Sequence, residues 1–102
     1  MSGGVFNIDT ALLRTYASAH GTAGQTAQDT ISTLNAQHQQ VASTLDPSSA
    51  AALETSHQAV SKALLDLHNA HISYQGTLNQ IAQQTDELKA AAQRGFGQIH
   101  TQ

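Results

Sequence analysis

Cysteine and tryptophan are absent from the sequence, proline occurs once, and charged residues make up only 11% of the 102 positions. Without cysteine, the chain has neither disulfide bonds nor thiolate chemistry. The four cationic residues form no cluster that could neutralise nucleic-acid phosphates or line a membrane-surface helix: Arg14, Lys62, Lys89 and Arg94. No apolar run approaches the roughly 18 residues of a membrane span. We therefore expect no nucleic-acid partner and no membrane span.

A heptad pattern runs through the second half of the chain. Its positions alternate in steps of four and three, and nearly all are apolar or carry a ring: Leu53, His57, Val60, Leu64, Leu67, His71, Tyr74, Leu78, Ile81, Thr85, Leu88 and Ala92. A period of 3.5 residues sustained this long is typical of a helix packed against another helix. At about 1.5 Å per residue, the helix would be on the order of 60 Å long. No globular core of this chain could surround it, so the first half must lie alongside.

A weaker heptad pattern occupies the first half of the chain. It contains more small and polar residues: Leu13, Tyr16, His20, Ala23, Ala27, Thr30, Leu34, Gln37, Val41 and Thr44. Asp9 is suited to cap a helix that begins at Thr10, and Ile8 before it can pack on the next turn. Gly21 and Gly24 each lower helix propensity by about 1 kcal/mol relative to Ala. We still predict one helix over residues 10–45.

Asp46-Pro47 is the only strong helix breaker in the chain. The residue before a proline is disfavoured in a helix, whereas proline suits the first helical position. Asp46 and Pro47 therefore predict a short turn between two antiparallel helices. We predict one domain, residues 1–102, with these parts: an arm at 1–8, a helix at 10–45, a turn at 46–48, a helix at 48–94 and a tail at 95–102.

The two heptad patterns also predict a register. With Val41 opposite Leu53, bulky residues face bulky ones near both ends of the hairpin, and Ala faces larger residues in the middle. Gly24 then faces Ala70 and Gly21 faces Ser73, which would let the backbones come close. The predicted hairpin interface is formed by Leu13, Tyr16, His20, Ala27, Leu34, Val41, Leu53, Val60, Leu64, Leu67, His71, Tyr74, Leu78 and Ile81.

A lone two-helix hairpin buries little surface, because each helix has a single neighbour. A second stripe outside the predicted interface could hold another hairpin: Leu12, Ala19, Leu65 and Ile72. The alternative is that these are scattered surface apolar residues, which every protein has. We favour the former, so the predicted fold is an all-α, antiparallel two-helix hairpin that dimerises into a four-helix bundle.

Six histidines suggest two kinds of site. His68 and His71 are spaced as neighbours on one helix face, with His20 near them across the hairpin, but neither cysteine nor a carboxylate completes a zinc site. We therefore expect packed histidines and no metal. The predicted register also pairs His38 with His57 and His20 with His71. Charging both members of a pair would be repulsive, so we predict that the hairpin loosens as the pH falls through the histidine range.

Catalytic groups are lacking. The sequence has no glycine-rich phosphate loop, no cysteine nucleophile and no paired carboxylates that a hairpin would bring into a cleft. The chain has only two Tyr and two Phe, which suits thin helical packing better than a deep pocket. We predict no enzymatic activity, no catalytic residue and no cofactor.

Length, architecture and composition together resemble the WXG family of small type VII secretion substrates, the Esx proteins. Ile8-Asp9-Thr10-Ala11-Leu12-Leu13 is similar to the family's capped start of helix one, and Ala90-Ala-Ala-Gln-Arg-Gly-Phe96 to its C-terminal end. The resemblance covers nearly the whole chain and implies a leaderless secreted or cell-surface protein, cytoplasmic before export. It also implies a partner, either a second copy or a sister Esx-like chain, and for an adaptor a larger type VII substrate.

The chain departs from this family at both of its specific motifs. The turn reads Leu45-Asp46-Pro47-Ser48 where the family has Trp-x-Gly, and the last tyrosine, Tyr74, precedes Leu78 where the export signal has an acid. Residues 1–7 lack the basic start and apolar core of a signal peptide, so we expect no cleaved leader. The predicted function is a divergent Esx-like substrate, co-secreted partner or adaptor. The alternative is a non-secreted coiled-coil structural or regulatory module.

Overall fold

The structure, a computed structural model, describes residues 8–101, with side chains through residue 95. Two helices, α1 (Thr10–Ala42) and α2 (Pro47–Thr101), pack side by side and form a rod of 84 × 17 × 16 Å. The predicted all-α two-helix hairpin is confirmed. Within the described chain, neither helix is long and apolar enough to cross a membrane. Of the predicted arm, only Ile8 is described, and its carbonyl accepts a hydrogen bond from Lys89 Nζ (2.6 Å).

Side chains set both ends of α1. At the start, Asp9 Oδ1 accepts a hydrogen bond from the Leu12 N–H (3.0 Å), which satisfies one of the free donors of the first turn. The helix ends at Ala42 and not at residue 45 as predicted. The hydroxyls of Ser43 and Thr44 donate to carbonyls of the last turn, both at 2.7 Å, and so offer the backbone an alternative to further helix.

The second helix begins directly after the turn. Asp46 Oδ1 accepts a hydrogen bond from the Ser49 N–H (2.6 Å), and Pro47 is the first helical residue, one position before the predicted start at 48. Hydrogen bonds from Ser49, first from its side chain and then from its backbone, lower the pKa of the Asp46 carboxyl. The helix continues to Thr101, so the predicted end at 94 and tail at 95–102 are wrong over residues 95–101. A glycine costs a helix only about 1 kcal/mol, and Gly95 does not take the left-handed conformation that would end it.

Small residues fill the interface between the helices. Between residues 8 and 95 the buried residues are Ala17, Gly24, Ala27, Leu78, Ala82 and Thr85, of which only Leu78 is large. At Gly24 the helices approach so closely that an added Cβ would lie 3.0 Å from Ile72 Cδ1 and 3.3 Å from His71 Cβ. The hairpin is therefore held by close backbone approach more than by large apolar side chains.

Cross-helix contacts fix the register. The rings of His20 and Tyr74, opposite one another in the predicted register, lie 4.2 Å apart between centroids. A Cβ at Gly21 would meet the Gln75 side chain at 2.6 Å, two positions from the predicted Ser73. Towards the open end, Arg14 binds Asp86 (2.8 Å), and its hydrogen bond is the main reason that the pKa of that carboxyl is lowered.

Candidate functional site

The structure divides the predicted interface residues into two groups. Those that lie buried or half-buried between the helices are Leu13, His20, Ala27, Leu34, Leu53, Leu64, His71 and Leu78. The others keep 42–49% of their surface exposed: Tyr16, Val41, Val60, Leu67, Tyr74 and Ile81. Eight of the fourteen predicted residues therefore lie buried or half-buried at the interface, and the other six are more exposed, although Tyr74 still packs against His20 across the helices.

Each helix uses a neighbouring row of residues in place of the exposed group. On α2 the row is Ser61, His68, Gln75, Ala82 and Lys89, and on α1 it is Thr10, Ala17, Gly24, Ile31 and His38. Small residues in these rows permit close approach, and the polar ones find partners. His68 Nδ1, for example, donates to the Gly24 carbonyl (2.7 Å). Ala17 and Ala82, the two most buried of the described residues, were missed in the sequence, although the repeat Thr10, Ala17, Gly24 at intervals of seven was a signal for Ala17.

A line of half-exposed apolar residues runs along α2 beside the hairpin interface, and we call it the outer stripe. Its residues repeat every seven positions and are 42–56% exposed: Val60, Leu67, Tyr74, Ile81 and Leu88. A second row, three positions further on, is also exposed: Ala63, Ala70, Thr77, Gln84 and Ala91. Neither row contains a charged residue. Five large apolar side chains of α2 are thus 42–56% exposed, whereas Leu53, Leu64 and Leu78 lie buried or half-buried at the interface.

The four residues predicted as a dimer interface do not form one face of the hairpin. Leu12 lines a recess with Tyr16, whose ring contacts Tyr74 (5.7 Å between centroids). Leu65 and Ile72 lie on the side of α2 away from Tyr74, because Ile72 is two residues, or about 200°, from it. Ile72 there flanks the hairpin interface, since its Cδ1 lies 3.0 Å from where a Cβ on Gly24 would be. Leu12, Leu65 and Ile72 are 64%, 45% and 41% exposed, and Ala19 is exposed as well. Leu12 and Ala19 therefore belong with the outer stripe, whereas Leu65 and Ile72 do not.

One histidine pair lies in the middle of the hairpin. His20 Nδ1 and His71 Nδ1 are 2.9 Å apart, so one nitrogen donates and the other must accept with a free lone pair. The rings of Tyr16 and Tyr74 pack against His20, with centroids 4.7 and 4.2 Å away. The hydrogen bond between the Tyr16 and Tyr74 hydroxyls favours the neutral form of Tyr16 and raises its pKa. This pair can hold one added proton, but two would place two donors face to face.

The second histidine pair lies near the turn and has an acidic neighbour. The rings of His38 and His57 stack with centroids 4.1 Å apart. His38 Nε2 binds Glu54 Oε2 (2.5 Å), and His57 Nε2 donates to Asn35 Oδ1 (2.7 Å). The hydrogen bond from His38 is the main reason that the pKa of the Glu54 carboxyl is lowered. Glu54 was not part of the predicted pH-sensitive set, and it changes the expected response.

Mild acid should loosen the middle of the hairpin and spare the turn end. Glu54, whose pKa is lowered in the fold, stays charged until the pH falls below its ordinary range, so protonated His38 gains an ion pair. Doubly protonated His20 and His71 instead lose their mutual hydrogen bond. We expect amide hydrogen exchange near Gly21 to speed up more than exchange near His38 when the pH is lowered from about 7.5 to about 5, across the histidine range.

Two variants test whether the middle of the hairpin and its turn end respond differently to mild acid. Glu54→Gln removes the acid beside His38, and should make the turn end respond to mild acid as the middle does. His71→Gln removes one imidazole of the central pair, and should reduce the response near Gly21. If amide exchange near Gly21 and near His38 speeds up equally in the unmodified chain, the central pair is not the acid-sensitive part of the hairpin.

Among the described side chains, no three of His, Cys, Asp and Glu converge as a metal site. His68 and His71 are instead engaged with the Gly24 carbonyl and with His20. The exposed face around the outer stripe is thus the candidate site for a partner. No protein-family model matches this chain, and searches of curated proteins and of solved structures found no similar chain.

Proposed function

We propose that this chain is a small Esx-like protein of a type VII secretion system. It would act as a secreted substrate, or as a co-secreted partner or adaptor, through association of helical hairpins. It would reside in the cytoplasm before export and then outside the cell or on its surface. The observation that carries the proposal is the outer stripe, an exposed heptad line of large apolar residues on a rod of two helices.

The outer stripe supports association because it repeats at the helix-packing period. Scattered exposed apolar residues need no explanation, but a continuous line of exposed apolar residues is typical of an interaction site. The stripe and the second row are centred roughly a right angle around α2 from the hairpin interface. Neighbouring contacts in a four-helix bundle have this arrangement. The fitting partner is therefore another pair of helices.

A hairpin that acts by binding another pair of helices needs no catalytic residue. The titratable side chains in the hairpin form hydrogen bonds and ion pairs with one another, as in Arg14–Asp86 and His38–Glu54. These contacts explain why the pKa values of Glu54 and Asp86 are lowered, and no catalytic role is needed to explain them.

Secretion can be tested with a strain pair that differs only in its type VII ATPase. The tagged chain should accumulate in the medium of the strain with the active ATPase and remain in the cells when the ATPase is inactivated. A cytoplasmic marker protein in the same medium controls for lysis. Equal amounts of the chain in both media would contradict the proposal. Retention of the chain in the cells of both strains would also contradict it, and would favour the non-secreted coiled-coil module, to which a long heptad stripe is equally suited.

A further inference from the structure

We infer that Tyr16 and Tyr74 form a site of oxidative cross-linking, at which a one-electron oxidant of the peroxidase type joins the two rings by a carbon–carbon bond. The bond would tie α1 covalently to α2. The inference goes beyond the proposed function and does not rest on it. It is drawn from the contact between the two side chains, from their exposure, and from the scarcity of other easily oxidised groups in the chain.

The only two tyrosines of the chain meet across the hairpin. They lie on different helices, yet the centroids of the Tyr16 and Tyr74 rings are 5.7 Å apart, in a T-shaped arrangement with 79° between the ring planes. Their hydroxyls share a hydrogen bond. Oxidised tyrosines couple at the ring carbons next to the hydroxyl, so a hydrogen bond between the hydroxyls also brings those carbons towards one another.

The surroundings position the two rings and leave them open to an oxidant. His20 packs against both, with its centroid 4.7 Å from that of Tyr16 and 4.2 Å from that of Tyr74. Tyr16 and Tyr74 nevertheless keep 47% and 44% of their surface exposed. The outer torsion of a tyrosine side chain is soft. One ring can therefore turn from the T-shaped arrangement towards the plane of the other.

The composition of the chain favours tyrosine as the group that reacts. Thiols and thioethers are common targets of oxidants, but the chain has no cysteine and a single methionine. Tryptophan, the other aromatic side chain that readily gives up one electron, is absent. A chain without cysteine also has no disulfide to join its helices, and this cross-link would serve that purpose under oxidising conditions.

The reaction balances with hydrogen peroxide as the final oxidant. Each phenol loses one electron and one proton, and the two radicals join through one carbon–carbon bond between their rings. The hydrogen on each joined carbon then leaves as a proton while each phenol oxygen regains one, so that both rings are aromatic again. The chain loses two hydrogen atoms in all. The peroxide takes up the two electrons and two protons and becomes two molecules of water.

Trypsin separates the two tyrosines, so the product can be identified by mass. Cleavage after lysine and arginine places Tyr16 in peptide 15–62 and Tyr74 in peptide 63–89. The full chain is treated with peroxidase and hydrogen peroxide at about 1 µM chain, far below the effective concentration of groups held in contact. The product with the mass of a single chain is then digested. We expect the two peptides to be joined, with two hydrogen atoms fewer than the separate peptides and with the fluorescence of dityrosine.

The double variant Tyr74→Phe with Leu65→Tyr is the matched control. It keeps two tyrosines, and Leu65 and Tyr74 are 45% and 44% exposed. Position 65 is nine residues, or about 13 Å, further along α2 and lies on the side of α2 away from Tyr74. The control should give at least about tenfold less linked product within single chains, because its tyrosines are not in contact. Circular dichroism checks that it is as helical as the unmodified chain.

Tyr16→Phe is a second, milder control, because it keeps the ring and loses only the hydroxyl. It should give no link within a single chain. The inference is overturned if the unmodified chain yields no linked peptides while free tyrosine couples in a parallel reaction. It is also overturned if the unmodified chain couples chiefly between chains, or if the relocated tyrosine gives as much linked product within single chains as the native pair.

Discussion

Replacing Leu78 with alanine should lower the free energy of unfolding by about 3 kcal/mol. Leu78 is 6% exposed and is the only large apolar side chain among the buried residues of the described chain. The remaining buried positions are alanine, glycine and threonine, which cannot move into the space that is left. Because small domains are stable by only about 5–15 kcal/mol, this loss is a large share of the total.

Urea unfolding followed by circular dichroism measures this loss, at a protein concentration low enough that self-association does not contribute. Leu65→Ala is the control, because Leu65 is 45% exposed and lies away from both the interface and the outer stripe. We expect the control to cost less than about 1 kcal/mol. Similar losses at positions 65 and 78 would mean that Leu78 is not the central contact of the hairpin.

Enlarging Ala82 to leucine should destabilise the hairpin by about 2 kcal/mol. Ala82 is completely buried and Ala17 is 1% exposed, so alanine side chains set how closely the two helices pack. A leucine has no space to enter and must push the helices apart. That separation would also weaken polar contacts that depend on close approach, such as the hydrogen bond from His68 to the Gly24 carbonyl.

Ala59→Leu provides the comparison for this substitution, because Ala59 is exposed and lies in neither row of α2. The helix propensities of Ala and Leu are similar, so the control should change the unfolding free energy by less than about 0.5 kcal/mol. The ¹⁵N spectrum of Ala82→Leu should in addition show shifted amide signals on α1, the helix that residue 82 faces. An unchanged stability would contradict the close packing described for this interface.

The starts of both helices and their register could be predicted from local chemistry. Asp9 and Asp46 precede helices with side chains that accept backbone N–H groups, and Pro47 suits only a first turn. The register followed from matching bulky and small residues of two patterns, and it put His20 opposite Tyr74. Gly95 was mistaken for a helix end because glycine ends helices chiefly through the left-handed conformation, which a sequence does not reveal.

The rotation of each helix about its own axis could not be predicted from hydrophobicity. Apolar residues in α2 occupy three neighbouring rows, and a hairpin needs only two of them. The heptad pattern favoured the row of Val60 and Leu67 because it is the more apolar. The structure instead uses the row of His68 and Ala82, since small residues allow close approach and polar ones find partners across the interface.

The candidate site was predicted only in part for the same reason. Residues Leu12 and Ala19 were correctly placed outside the hairpin interface, but Leu65 and Ile72 were grouped with them although they lie on the other side of α2. The histidine pairs followed from the register alone. Glu54 did not, because its contact with His38 depends on where its side chain turns.

The shape of the rod has a consequence for X-ray scattering in solution. Its radius of gyration is 23.3 Å, a value that a compact globular chain reaches only at about 500 residues. Size by itself therefore says little about how many copies are present. Two rods side by side with their middles aligned would double the forward scattering and thicken the cross-section, yet the radius of gyration would stay close to that of one. Two rods joined end to end would lengthen the particle, so the two modes of assembly have separate scattering signatures.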